Sequence, residues 1–173
     1  SKKGKGTTCQ FTLQLPIGKF DSLDSIDTEI KADSFVGKKA LLVEDFEMNR
    51  FIAMQSLHFL GFETTEAEDG KVAIEKVQND SFDIILMDIQ MPVMDGVEAT
   101  EYIRDRLNID TPIIALTANA FKQDIELYIN KGMNDFVTKP YDEQEFFRKI
   151  DHTLHLHKSE KMNKIIDQTS QDD

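Results

Sequence analysis

From residue 39 to residue 156, short apolar runs alternate five times with longer amphipathic stretches, and no other feature of the chain restricts its fold so tightly. Ala40-Leu41-Leu42-Val43 predicts a buried strand. Over 48–60, Phe51, Ile52, Leu57 and Leu60 fall at helical spacing, and Gly61 ends that helix. A second strand is expected over 62–67, and Asp69-Gly70 opens a helix carrying Val72, Ile74 and Val77. The third unit is a strand over 82–87, a loop over 92–96 and a helix over 97–107. A strand over 112–116 with a helix over 122–131 forms the fourth. The fifth is a strand over 134–137, after which Asp142 caps a helix running beyond Leu156. Five consecutive strand-helix units imply a parallel sheet with helices on both faces, and strands without polar alternation fit burial on both sides. The expected fold class is therefore α/β, a doubly wound five-stranded parallel sheet.

In an open parallel sheet, ligands bind beyond the carboxyl ends of the strands, near the switch in strand order. Glu44 and Asp45 follow the first strand and Asp88 the third. In the flavodoxin-like order 2-1-3-4-5 these strands are neighbours, so the three carboxylates converge. Carboxylates packed together repel unless a cation neutralises them, and Mg²⁺ suits a few carboxylates, waters and phosphate oxygens. Thr117, after the fourth strand, and Lys139, after the fifth, belong to the same end. A hydroxyl and an ammonium beside a metal-bound carboxylate suit phosphoryl oxygens and point to Asp88 as a phosphoryl acceptor. Singly, each residue has an ordinary reading: Asp88 as a loop residue, the Glu-Asp pair as solvated, Thr117 as a helix cap, Lys139 as a surface charge.

These residues sit in four blocks that resemble the response-regulator receiver family. The blocks are Leu-Leu-Val-Glu-Asp at 41–45, Met-Asp-Ile-Gln-Met-Pro-Val-Met-Asp-Gly at 87–96, Ile-Ile-Ala-Leu-Thr-Ala at 113–118 and Phe-Val-Thr-Lys-Pro at 136–140. The resemblance covers 38–157 and implies that Asp88 is phosphorylated from a histidine. It implies Mg²⁺ held by Asp45, Asp88 and the backbone carbonyl of Gln90, with Glu44 acting through water. Thr117 and Lys139 would then bind the phosphoryl group, and Phe136 would fill the aromatic switch position. It also implies a cis Lys139–Pro140 bond. Phe46 departs from the family, which often carries Asn there.

Residues 1–20 resemble the last glycine-rich box and closing strand of a histidine-kinase ATP-binding domain, on Gly4-Lys5-Gly6-Thr7-Thr8 and Phe11-Thr12-Leu13-Gln14-Leu15-Pro16. The implied parent is a hybrid sensor kinase. The fragment itself would catalyse at most its own phosphorylation and dephosphorylation. Residues 21–37, acidic and poorly periodic, are expected to be a linker, and 158–173 a helical extension with a disordered tail.

The implied partner is a phosphohistidine donor domain, either a kinase or a histidine phosphotransfer protein. The formal charge of −12 argues against direct nucleic-acid binding, which needs a basic face. No apolar run approaches the length of a membrane span, and the single cysteine, Cys9, cannot form an intrachain disulfide. A cytoplasmic location follows as an expectation, with the parent free to be membrane-anchored, and with a monomer or weak dimer both allowed. The rival function is a Mg²⁺-dependent phosphatase with an aspartyl nucleophile, but that class wants a second Asp where Gln90 stands. His152, His155 and His157 are read as a solvated helix face, His58 as a partly buried helix residue, and Met87, Met91 and Met94 as packing.

Overall fold

The structure is a computed structural model that describes residues 31–169, the side chains of 160 and 164–169 excepted. The kinase-like segment 1–20 lies outside the described residues, as does most of the linker. Five strands appear in the chain: β1 (Lys39–Val43), β2 (Glu63–Ala67), β3 (Ile84–Asp88), β4 (Ile113–Thr117) and β5 (Asp135–Thr138). All pair in parallel, in the order β2-β1-β3-β4-β5. The helices are α1 (Glu47–Phe59), α2 (Gly70–Asn79), α3 (Gly96–Asp105), α4 (Lys122–Asn130) and α5 (Glu143–Thr169).

The period-two geometry of a strand divides the apolar runs between two cores. Leu41, Val43, Ile85, Met87, Ile113 and Ala115 face one side, where Ala73 and Ile74 of α2, Ala99 and Ile103 of α3 and Tyr128 of α4 cover them. Ala40, Leu42, Ile84, Leu86, Ile114 and Leu116 face the other, beneath Ala53 and Leu57 of α1 and Phe146, Phe147 and Ile150 of α5. Three helix starts carry an aspartate cap. Asp69 accepts from the Val72 N–H at 2.9 Å, Asp95 from Glu98 at 2.8 Å, and Asp142 from Gln144 at 2.9 Å. Among the described residues no helix is long and apolar enough to cross a membrane.

Three local expectations are corrected. Phe51 and Ile52 do not face the core but are 57% and 50% exposed. The inward stripe of α1 is Ala53, Ser56, Leu57 and Leu60, and at 100° per residue Phe51 falls on the opposite side. His58 shares the exposed side rather than being partly buried. Finally, β2 is not apolar: Glu63-Thr64-Thr65-Glu66 lies at the sheet edge, where one side of the strand meets solvent and charge guards against further pairing. From the stretch read as linker, residues 32–37 form turns, and Phe35 is buried in a stack with Phe62 at 4.9 Å between ring centres. At the other end α5 continues without a break to Thr169.

Two glycines bear on the geometry. Gly61, with φ +88°, lets the chain leave α1 in a left-handed turn. Gly96 starts α3 directly against the end of β3, and a Cβ there would stand 2.1 Å from the Asp88 carbonyl oxygen. Gly96→Ala should therefore destabilise the fold by about 3 kcal/mol or more, since backbone must move to admit the methyl. Chemical denaturation checks this, and a midpoint equal to that of the parent chain counts against the close approach.

Candidate functional site

The carboxyl ends of β1 and β3 lie side by side, with Val43 opposite Met87 in the register. Asp88 is the last residue of β3, while Glu44 and Asp45 are the first two beyond β1. Their carboxylate oxygens lie within 4.8 Å of one another. Glu44 and Asp88 are buried, at 1% and 6% exposure, whereas Asp45 is open to solvent. Lys139, the residue after β5, reaches across β4 and pairs with both: its Nζ is 2.9 Å from Asp88 Oδ2 and also bonds Glu44 Oε2. The Lys139–Pro140 bond is cis.

Burial pushes the Asp88 carboxyl above its usual range, and the Glu44 charge adds to this. The hydrogen bond and charge of Lys139 and a 3.3 Å bond from the Gln90 N–H pull the other way without cancelling the rise. Tyr141, stacked on Phe146 at 4.7 Å, is pushed up to about 12 by burial and by the charges of Glu44 and Glu143.

Other expected site residues fall into place unevenly. Gln90 is exposed, two residues beyond Asp88, and only its N–H is seen bonding the carboxylate. Thr117 ends β4 next to Asp88, since Asp88 pairs with Leu116 in the register. Its hydroxyl is occupied locally: it donates to the Asn119 carbonyl at 3.0 Å and lies 3.3 Å from the Tyr128 hydroxyl. Phe136, in mid-β5, packs against the first core under Lys149, whose Nζ lies 4.6 Å from the ring centre. It is not among the groups the structure gathers around Asp88. The histidines at 152 and 155 are exposed on α5, as expected, whereas His157 is partly buried along the groove beside Leu154.

Two residues escaped the sequence reading. Asn49 donates from Nδ2 to Glu44 Oε1 at 2.9 Å, fixing the buried carboxylate from its second oxygen. Arg50 donates from Nη1 to the carbonyls of Glu44 at 2.8 Å and Asp45 at 3.3 Å, while its Nε holds Glu66 at 2.9 Å. Both sit in the first turns of α1, close behind the carboxylates they serve. A polar pair at that offset was the available signal. On the other flank, the loop after Asp88 contains Val93 at φ +68°, a strained setting for a β-branched residue. Turn bonds hold it there, from Met94 N–H to the Pro92 carbonyl at 2.7 Å and from Gly96 N–H to the Ile89 carbonyl at 3.1 Å.

The chemistry of this donor set is that of a hard cation. Three carboxylates face one ammonium, so the cluster keeps an excess of negative charge when ionised. Two fixed carboxylates and one solvent-facing carboxylate suit a small divalent ion that retains waters.

Comparison with known proteins agrees with this geometry. A family model described as response regulator receiver domain matches residues 40–151. The autoinducer 2 sensor kinase/phosphatase LuxQ of Vibrio vulnificus is 36% identical over 151 residues, which is 86% of this chain but 17% of LuxQ. The chain thus spans about a sixth of that relative. The two-component response regulator ORR41 of rice (Oryza sativa subsp. japonica) is 40% identical over 111 residues, covering 62% of this chain and 87% of its own. The receiver domain of a Pseudomonas aeruginosa sensor histidine kinase superposes with a TM-score of 0.64 at 38% identity. The match covers 69% of this chain and 99% of that one. That structure holds a magnesium ion in its active site cleft.

Proposed function

Because this chain belongs to the response regulator receiver family, we propose that Asp88 is its phosphoacceptor and that the cluster around it is the phosphorylation site. The chain is a receiver domain of two-component phosphorelay. The observation that carries the assignment to Asp88 is the double pairing of Lys139 with Glu44 and Asp88 at the mouth of the sheet. Of the two carboxylates that Lys139 bonds, Asp88 ends the central strand β3, flanked by Glu44 after β1 and Thr117 at the end of β4.

In this reading an Asp88 carboxylate oxygen attacks phosphorus, and the bond from phosphorus to the donor histidine nitrogen breaks. Lys139 remains beside the new acyl phosphate and balances the charge of its oxygens. Thr117 turns its hydroxyl from the Asn119 carbonyl to a phosphoryl oxygen, and Phe136 serves as the aromatic switch. Asp45, Asp88 and the Gln90 carbonyl would hold Mg²⁺, with Glu44 acting through water. When bound there the ion supplies neutralisation of the phosphoryl charge. Gln90 stands two residues after the acceptor, where an aspartyl-nucleophile phosphatase would carry its acid/base Asp, which favours self-modification over substrate turnover.

The donor we infer is a phosphohistidine-bearing protein, either a kinase domain or a histidine phosphotransfer protein. Phe46, Met48, Phe51 and Ile52 are each half-exposed or more, and they begin one residue after Asp45. An apolar margin beside the acceptor suits a protein donor better than a small one. The parent reading, a hybrid kinase whose ATP-binding domain ends in residues 1–20, is supported by the LuxQ similarity. At 86% of this chain, that match must begin upstream of residue 40. A cytoplasmic setting is part of the same reading.

The test is intact-mass measurement after incubation with a small phosphodonor. One phosphoryl group is expected in Mg²⁺ and none in excess EDTA. Equal incorporation in both buffers removes the metal from the site.

A further inference from the structure

At the opposite end of the sheet from Asp88, a groove of about 460 Å³ opens between the turns at 32–37, the amino ends of β3 and β4, and the far half of α5. Its floor is apolar, formed by Phe35, Phe82 and Leu154. Its rim is basic: Lys38, Lys158 and Lys161 contribute three ammonium groups, and Asp83 is its one carboxylate. Lys38 is paired to Asp83 at 3.0 Å, whereas Lys158 and Lys161, one helical turn apart on α5, present exposed side chains. The chain as a whole carries a net charge of −12, so this rim is of opposite sign to the protein's overall charge. It recognises a peptide that carries acids and aliphatic side chains together.

We propose that this groove is the docking site of the chain's own residues 21–30. Asp21-Ser22-Leu23-Asp24-Ser25-Ile26-Asp27-Thr28-Glu29-Ile30 carries four acids, no base and three aliphatic side chains. The chain is pinned beside the groove immediately after this segment. Asp33 N–H donates to the Phe59 carbonyl at 3.0 Å and Phe35 N–H to the Leu60 carbonyl at 2.8 Å. Ser34 and Phe35 themselves line the groove. Ten residues reach at most about 33 Å when extended, enough to cross it. Such a short tether gives an effective concentration on the order of millimolar, so weak contacts suffice. The segment's four acids are opposite in sign to the lysines of this rim, to which the chain is already tethered.

The test uses the whole chain with Cys9→Ser and Ser25→Cys, a nitroxide on the new thiol, and isotope-labelled amides. The expected result is loss of the amide signals of Lys38, Phe82, Leu154 and Lys158. Lys158→Glu with Lys161→Glu should restore those signals. Adding Asp24→Lys with Asp27→Lys to that variant should abolish them again, which only direct charge pairing produces. Signal loss confined to 31–35, or unchanged by the groove substitutions, overturns the proposal. So does equal loss when label and isotope sit on separate chains, because the occupant is then a second copy.

Discussion

Asp88→Asn is expected to abolish phosphoryl incorporation while leaving a fold more stable at neutral pH than the parent chain. The first half follows from chemistry: an amide oxygen is a poor nucleophile, and its adduct lacks the acyl-phosphate character that the Lys139 site is arranged to hold. The second half follows from position. Burial, reinforced by Glu44, raises the folded-state pKa of Asp88 above its unfolded value. A raised carboxyl means the folded chain binds that proton more tightly. The associated stability is fully present below the unfolded pKa and is lost as pH rises through the folded one. Ionised Asp88 at neutral pH is thus a cost, and asparagine removes the charge while Glu44 continues to hold Lys139. Thermal unfolding in EDTA across an acid-to-neutral series reads this directly. The gap between variant and parent should close as pH falls through the folded pKa of Asp88. Phosphoryl gain by the Asn variant sinks the acceptor assignment, and a gap that widens in acid sinks the burial argument.

Lys139→Ala has the opposite effect on stability and a comparable one on activity. Lys139 is the cation bonded to two carboxylates that are 2% and 8% exposed at their side chains. Removing one partner of such a group leaves uncompensated buried charge, a loss of about 3 kcal/mol. For a domain of this size that lowers the unfolding midpoint by roughly 10 °C. The loss should shrink in acid, where Asp88 takes up a proton, and also in Mg²⁺, where a second cation occupies the cluster. Incorporation should slow by roughly 10²–10³-fold, the usual consequence of losing one donor to developing phosphoryl charge. Calorimetry and timed mass measurement on one preparation check both. A variant as stable as the parent in EDTA at neutral pH shows that the ammonium was not carrying the cluster.

The alternation of strands and helices along the chain and the placement of the acceptor cluster at the mouth of the sheet were legible from residue order, whereas the order of the strands across the sheet came from the flavodoxin-like pattern and Arg50 went unread. Buried parallel strands must be written as apolar runs, and a residue following such a run can only lie at the strand's carboxyl end. Hence Glu44, Asp45, Asp88, Thr117 and Lys139 could be assigned to one edge from spacing. Asp69 and Asp142 as helix starts were readable because capping is local, within three residues.

What the tertiary structure alone decided concerns choices among positions that satisfy the same local rule. The helix α1 has more apolar residues than its inward stripe can hold. Packing against β1 and β2 selected Ala53, Ser56, Leu57 and Leu60 and turned Phe51 and Ile52 to solvent. Likewise β2 took its polar sequence from lying at an edge, which is a property of the sheet order. The partition of hydrogen bonds within the cluster was also beyond reach: that Lys139 spans both Glu44 and Asp88, and that Asn49 and Arg50 hold the other side, depends on separations of a few tenths of an ångström. Periodicity fixes which end of the sheet a side chain occupies. Its partner there is fixed by distance, and distance exists only once the strands are in register.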